Sequence, residues 1–214
     1  MKLMHMDHRT FSEGYEAEPF VNSLRNYRSL VRSLLAEADA NDEHAAFLAT
    51  LARRHAGPVR ATVMSEDWCG DSALNMPILM SLFRKAGVEL RIFRGSEHEN
   101  LKRFYEADGT DHIPVLSLWD ANGMELGRWV EAPRAIEPRK DAWKAERPHF
   151  MELYARKATD KDAARRFAGL YREFLEEMAT WYRAGLWDET TREIAELLRP
   201  ASRAESQAAP VGVN

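Results

Sequence analysis

The spacing of apolar residues alternates between helical and strand periods along most of the chain. Val21, Leu24, Tyr27, Leu30, Val31, Leu34 and Leu35 recur at steps of three and four, which predicts one amphipathic helix from Pro19. Asn41-Asp42 caps a second helix reaching about Arg54, with Phe47, Leu48 and Leu51 on its buried face. Gly57-Pro58 ends it, and the β-branched run Val59–Met64 reads as a strand. Leu74, Ile78, Leu79 and Leu82 restore the helical period until Ala86-Gly87. Val88, Leu90, Ile92 and Phe93 give a second strand, Glu97–Glu106 a short helix with Leu101 and Phe104, and Asp108–Asp111 a turn. Two further strands, Ile113–Trp119 and Met124–Val130, flank Asp120-Ala121-Asn122-Gly123, a strong hairpin signal. Parallel neighbours need a crossover helix and antiparallel ones only a turn, so this order predicts an α/β fold, a mixed sheet with helices on both faces.

Beyond Glu131 the pattern shifts. Pro133, Pro138 and Pro148 punctuate a charged connection containing Trp143. Asp160 then opens a long helix whose stripe runs through Phe167, Leu170, Tyr171, Phe174, Leu175, Met178, Trp181 and Tyr182 to Gly185. Asp188 caps a last helix through Ile194, Leu197 and Leu198, stopped by Pro200. Such a stripe is most simply core packed back on the domain; its rarer use is a homodimer or partner face. The expected organisation is an N-terminal arm over 1–19, an α/β domain over 20–130, a helical extension over 131–200 and a disordered tail over 201–214.

Composition narrows the function classes. A chain of 214 residues can bury a substantial core without staples, and a net charge of −4 gives no nucleic-acid footprint. No apolar run reaches membrane-spanning length, and Met1–Thr10 lacks the apolar region of a secretory signal. One cysteine excludes an internal disulfide and a Cys-built zinc site, and suits a reducing cytoplasmic compartment. Met4-His5-Met6-Asp7-His8 has metal-binding residue types, but at a free terminus it is expected to be disordered. No metal or cofactor is called for.

The single cysteine lies in Glu66-Asp67-Trp68-Cys69-Gly70-Asp71-Ser72, between a strand and a helix. Unpaired N–H groups and the positive end of the helix dipole favour a thiolate there, by about 0.3–1 kcal/mol, which is less than about one pKa unit. Glu66, Asp67 and Asp71 oppose it, so a moderately reactive thiol is expected. A lone cysteine is otherwise a small buried hydrophobe. Ser72, one turn on, either donates its hydroxyl to the sulfur or satisfies a backbone N–H. Trp68 either covers the cysteine and meets substrate or is half-buried packing, and Asp71 suits the first turn of a helix. His112 is a loop histidine, expected to be solvated.

Trp68-Cys69-Gly70, with Pro77 eight residues after the cysteine and Ile113-Pro114 opening a later strand, resembles the thioredoxin-like superfamily over about residues 20–130. Asp67–Ser72 followed by Met76-Pro77-Ile78-Leu79 looks like a bacterial branch of that family with a Trp-Cys-Gly-Asp-Ser motif. The resemblance implies a cis Ile113-Pro114 bond facing Cys69, and a peptide groove formed by Trp68, Gly70, Asp71, Ile113 and Pro114. Two departures bear on activity: the family's second cysteine is Ser72, and its buried strand aspartate is Val63. The expected function is monothiol thiol–disulfide exchange through Cys69 and Ser72, with a disulfide-containing protein or a small thiol such as glutathione as partner. A non-catalytic peptide- or partner-binding module is the alternative. A third reading, a glutathione-dependent iron–sulfur binder, follows from the CxxS spacing of monothiol glutaredoxins; Glu66-Asp67 stand where that family has a basic residue.

Overall fold

The computed structural model describes residues 5–199. The expected tail from Ala201, the stop at Pro200 and Met4 of the N-terminal cluster lie outside them. In order come α1 (His8–Ser12), α2 (Ala17–Ser23), α3 (Arg28–Leu35), α4 (Asp42–Ala52), β1 (Arg60–Ser65), α5 (Gly70–Ala86), β2 (Glu89–Arg94) and α6 (Glu99–Glu106). The hairpin β3 (Val115–Trp119) and β4 (Glu125–Val130) follows, then α7 (Glu137–Ala145), α8 (His149–Arg156), α9 (Lys161–Trp181) and α10 (Trp187–Ala195).

The sheet has order β2-β1-β3-β4, with β1 parallel to β2 and antiparallel to β3, and β3 antiparallel to β4. The β1–β2 crossover is α5, as a parallel pair requires. Alternation along β1 sends Ala61 and Val63 into a large core under α3, α4, α5, α9 and α10. Met64 points the other way, into a smaller core with Met6, Phe11, Phe93, Leu101, Tyr105, Val115 and Trp119. Both faces are covered, which explains why β1 reads as an apolar run rather than as strict alternation. In the second core Trp119 Nε1 donates to Thr62 Oγ1 at 2.8 Å, and the Tyr105 and Ser117 hydroxyls lie 2.9 Å apart, so the buried polar atoms are partnered.

Asn41 caps α4 as expected, its side chain accepting from the Glu43 and His44 N–H groups, and Gly87 closes α5 at φ 66°, where a side chain is disfavoured. Four expectations are corrected. Residues 5–8 are not disordered: Met6 is buried and its N–H donates to Gly123 O at 3.0 Å, because the terminus supplies part of the second core. The single helix from Pro19 is two, since Leu24 leaves the helical region and Tyr27 takes φ 56°. The connection after Glu131 contains α7 and α8; Pro138 sits in the first turn of α7, where its missing N–H costs no bond. Asp188 is not a cap, because α9 runs into α10 through a wide turn at Tyr182–Leu186 that places Gly185 at φ 131°.

The extension packs on α5. Trp187 Nε1 donates to Leu74 O at 3.0 Å, and Phe174, Leu175, Met178 and Tyr182 of the aromatic stripe are buried. Before α2, Tyr15 pairs with Ile92 at the outer edge of β2, tying the N-terminal segment to the sheet. No helix of the described residues is long and apolar enough to cross a membrane.

Candidate functional site

Cys69 is the N-cap of α5, in extended backbone at φ −83° and ψ 117°. Its Sγ accepts from the Ser72 N–H at 3.4 Å and donates to Ile113 O at 3.2 Å. The thiol therefore bridges the start of α5 and the loop before β3. The Ile113–Pro114 peptide bond is cis. Ile113 is half-buried and Pro114 buried, while Trp68 is 63% exposed beside them. Trp68 is exposed rather than half-buried. Cys69 and the cis Ile113-Pro114 loop lie together through the contact of Sγ with Ile113 O.

The thiol itself is only 8% exposed. Burial pushes its pKa up to about 11, the Ser72 N–H pulls it back, and the Asp71 charge adds to the rise. The helix N-terminus contributes about 0.3–1 kcal/mol, against a desolvation cost of about 3 kcal/mol for a rise of this size. Desolvation wins, and the expected moderately reactive thiol is corrected to a resting protonated one. Val63, where the family resemblance would place a strand aspartate, is fully buried in apolar core.

Gly70 and Asp71 are turned towards the helical extension. A Cβ on Gly70 would lie 2.5 Å from both Tyr171 Oη and Leu175 Cδ2, so α9 covers this residue and a larger side chain there would have to displace them. Asp71 turns into the protein, with Oδ1 3.1 Å from the ammonium of buried Lys140 on α7. Ser72 is 3% exposed, and its Oγ has no hydrogen-bond partner within normal distance and angle. It caps no backbone N–H; it borders a cavity of about 10 Å³ shared with Cys69, Leu24, Asn26 and Tyr27.

The loop between α2 and α3 borders that cavity through Leu24, Asn26 and Tyr27. Asp67 holds this loop: its Oδ2 accepts from the Arg25 N–H at 3.1 Å, and its Oδ1 takes Arg94 Nε at 2.8 Å. Arg94 Nη2 reaches Ser23 at 2.8 Å, and its guanidinium lies over the Tyr15 and Phe20 rings. Glu66 is also engaged, accepting from the Ser96 N–H at 2.5 Å. Of the three acids expected to oppose the thiolate, Asp71 alone is among the main causes of its pKa shift. Asp67→Asn is expected to loosen the loop and raise the rate of Cys69 alkylation by iodoacetamide several-fold at fixed pH; an unchanged rate would show that the loop does not limit access. His112 is exposed and pairs with Asp111 at 2.6 Å, away from the thiol's hydrogen bonds.

Sequence reasoning missed four contributors. Asn75, wholly buried, presents Nδ2 to Asp71 O at 3.0 Å, Glu131 O at 3.3 Å and Tyr182 Oη at 2.7 Å, while its Oδ1 accepts from Thr190 at 3.2 Å. Lys140, Tyr171 and Tyr27 are the others. An asparagine at a core position of an apolar helix was a readable signal; the partners of the rest come from distant elements. Among the described residues no group of three or more His, Cys, Asp or Glu is arranged to hold a metal ion.

The sequence model of the family described as Thioredoxin matches residues 14–144, well over half of the chain. The chain belongs to the thioredoxin family. Among solved structures, this thioredoxin-family chain is similar to a Pseudomonas aeruginosa protein of unknown function at 19% identity and a TM-score of 0.54, covering 92% of this chain and 99% of that one. At that identity the likeness is one of fold, and its span includes most of the helical extension. An HIV epitope-scaffold aligns at 24% identity and a TM-score of 0.46, over 61% of this chain and 80% of that one. No curated protein matches the sequence.

Proposed function

We propose that this thioredoxin-family protein performs monothiol thiol–disulfide exchange through Cys69, resolved by an external thiol such as glutathione. The observation that carries the reading is the Sγ position: at the start of α5, 3.2 Å from Ile113 O, beside the exposed Trp68. An extended segment of a disulfide-bearing protein docks along the Ile113-Pro114 loop and against Trp68. The Cys69 proton leaves to solvent or base, and the thiolate attacks one substrate sulfur. An S–S bond forms to Cys69 as the substrate S–S bond breaks and the second sulfur departs as a thiolate. Ser72 cannot displace the adduct, because a hydroxyl is not a competent nucleophile towards a disulfide at neutral pH. A second thiolate from outside attacks the mixed disulfide and returns Cys69 to its reduced form. The cytoplasm, where small thiols are abundant, is the compartment this scheme fits.

The test uses glutathione disulfide at pH 9. Wild type is expected to gain one glutathionyl group by mass spectrometry and to lose it on addition of reduced glutathione. Ser72→Cys should convert the adduct to an internal disulfide, and Cys69→Ser should form none. No adduct on wild type and no internal bond in Ser72→Cys would remove the exchange reading. The alternative, a partner-binding module without turnover, is favoured by one observation, the burial that pushes the thiol up to about 11; that outcome would leave it standing.

A further inference from the structure

Lys140 is the most buried cation near the site, 6% exposed by side chain, and it stands among three carboxylates. Its Nζ lies 3.1 Å from Asp71 Oδ1, 3.0 Å from Glu131 Oε1 and 3.7 Å from Glu137 Oε1. These residues come from three places: the first turn of α5, the segment leaving β4, and α7. Asp71 is two residues from Cys69, and its side chain is less exposed, at 19%, than Glu131 at 31% or Glu137 at 58%. A carboxylate so placed persists as an anion only with a counter-ion, since losing one partner of a buried pair leaves the other charge uncompensated.

We propose that Lys140 is a positioning residue of the Cys69 site: its ammonium pairs with the Asp71 carboxylate and docks the first turn of α5 onto the extension, fixing the charge two residues from the thiol. This deepens the exchange reading by naming what sets the reactivity of its cysteine.

The charged and titratable groups around Asp71 are Lys140 and Glu137 on α7, Glu131 after β4, Tyr171 on α9, and Tyr182 in the turn that follows it; Cys69 precedes it, with Tyr27 on the far side of the thiol. Lys140 is the only cation among the main influences on the Asp71 carboxyl, which burial pushes upward and Lys140 pulls down, while Glu131 and Glu137 push it further up. Removing the ammonium therefore moves Asp71 protonation upward. The variant's thiol should face an unscreened negative charge above that transition and a neutral carboxyl below it.

The experiment follows iodoacetamide alkylation of Cys69 against pH, which requires no disulfide substrate and so gives its answer whether or not exchange occurs. Wild type should show a single rise. The ratio of the Lys140→Met rate to the wild-type rate should fall as pH rises through the Asp71 transition, by several-fold in total. Lys140→Arg should restore a flat ratio. Asp71→Asn should alkylate several-fold faster than wild type, because the carboxylate charge that pushes the thiol's pKa up is then gone while Lys140 stays paired with Glu131. The double variant Asp71→Asn/Lys140→Met, with both partners of the pair neutral, keeps the fold testable and should lose the pH-dependent ratio. A ratio for Lys140→Met that is constant with pH, even if below one, would reduce Lys140 to a structural residue and overturn the proposal. So would a double variant that retains the inflection.

Discussion

Alkylation of Cys69 is expected to accelerate about tenfold for each pH unit from 7 to 10, roughly a thousandfold in total, with a plateau only near pH 11. The thiolate is the reactive form, and burial pushes this thiol up to about 11. At pH 7 the thiolate fraction is then about 10⁻⁴, against roughly 3% for an ordinary cysteine with a pKa of about 8.5. Wild type at neutral pH should thus react roughly 300-fold more slowly than an unfolded-peptide cysteine. A plateau below pH 9 would mean that the thiol ionises easily and that the loop between α2 and α3 does not desolvate it. The same shift links to stability. The folded state holds the Cys69 proton more tightly than the unfolded state, so its contribution is complete below pH 8.5, about the unfolded value, and is lost as pH rises towards 11. The expected loss is about 3 kcal/mol, and Cys69→Ala should abolish that part of the alkaline slope in urea denaturation.

Asn75→Ala is expected to destabilise the protein by about 4 kcal/mol, read from the urea midpoint, because it leaves several buried polar groups unpaired and opens a cavity. Asn75 has two amide hydrogens facing three acceptors, and its Oδ1 takes a fourth contact from Thr190. Those partners come from α5, the segment after β4, the turn at Tyr182 and α10, so one side chain joins the cysteine helix to the extension. The loss should therefore be accompanied by faster hydrogen exchange in α9 and α10. A cost under about 1 kcal/mol, the value of a single ordinary hydrogen bond, would show that these contacts are replaced by water without penalty. The two effects meet at Cys69: the contacts that hold the extension against α5 also bring Tyr171 onto Gly70 and Lys140 onto Asp71.

The sequence by itself determined the sheet. Period-2 and continuous apolar runs, Asn122-Gly123 between strands, and Gly87 after a helical stripe are local signals, and each acts through the backbone where it stands. It also determined where the candidate site lies, because a cysteine between a strand and a helix is an N-cap wherever the helix packs. Helix ends after Glu131 were less legible, since prolines that read as loop punctuation also fit the first turn of a helix, as Pro138 does in α7. Tertiary structure alone decided the state of the thiol. The helix N-terminus predicts an easier ionisation, yet burial of Cys69, beside a cavity also lined by Leu24 and Tyr27 from 42–45 residues earlier in the chain, reverses the sign. The fate of the nearby acids was likewise non-local: Asp67 is engaged by Arg94, Glu66 by Ser96 and Asp71 by Lys140. Charges adjacent in sequence were visible from the start; desolvation and counter-ions depend on what the rest of the chain brings alongside, and those two effects set the chemistry of Cys69.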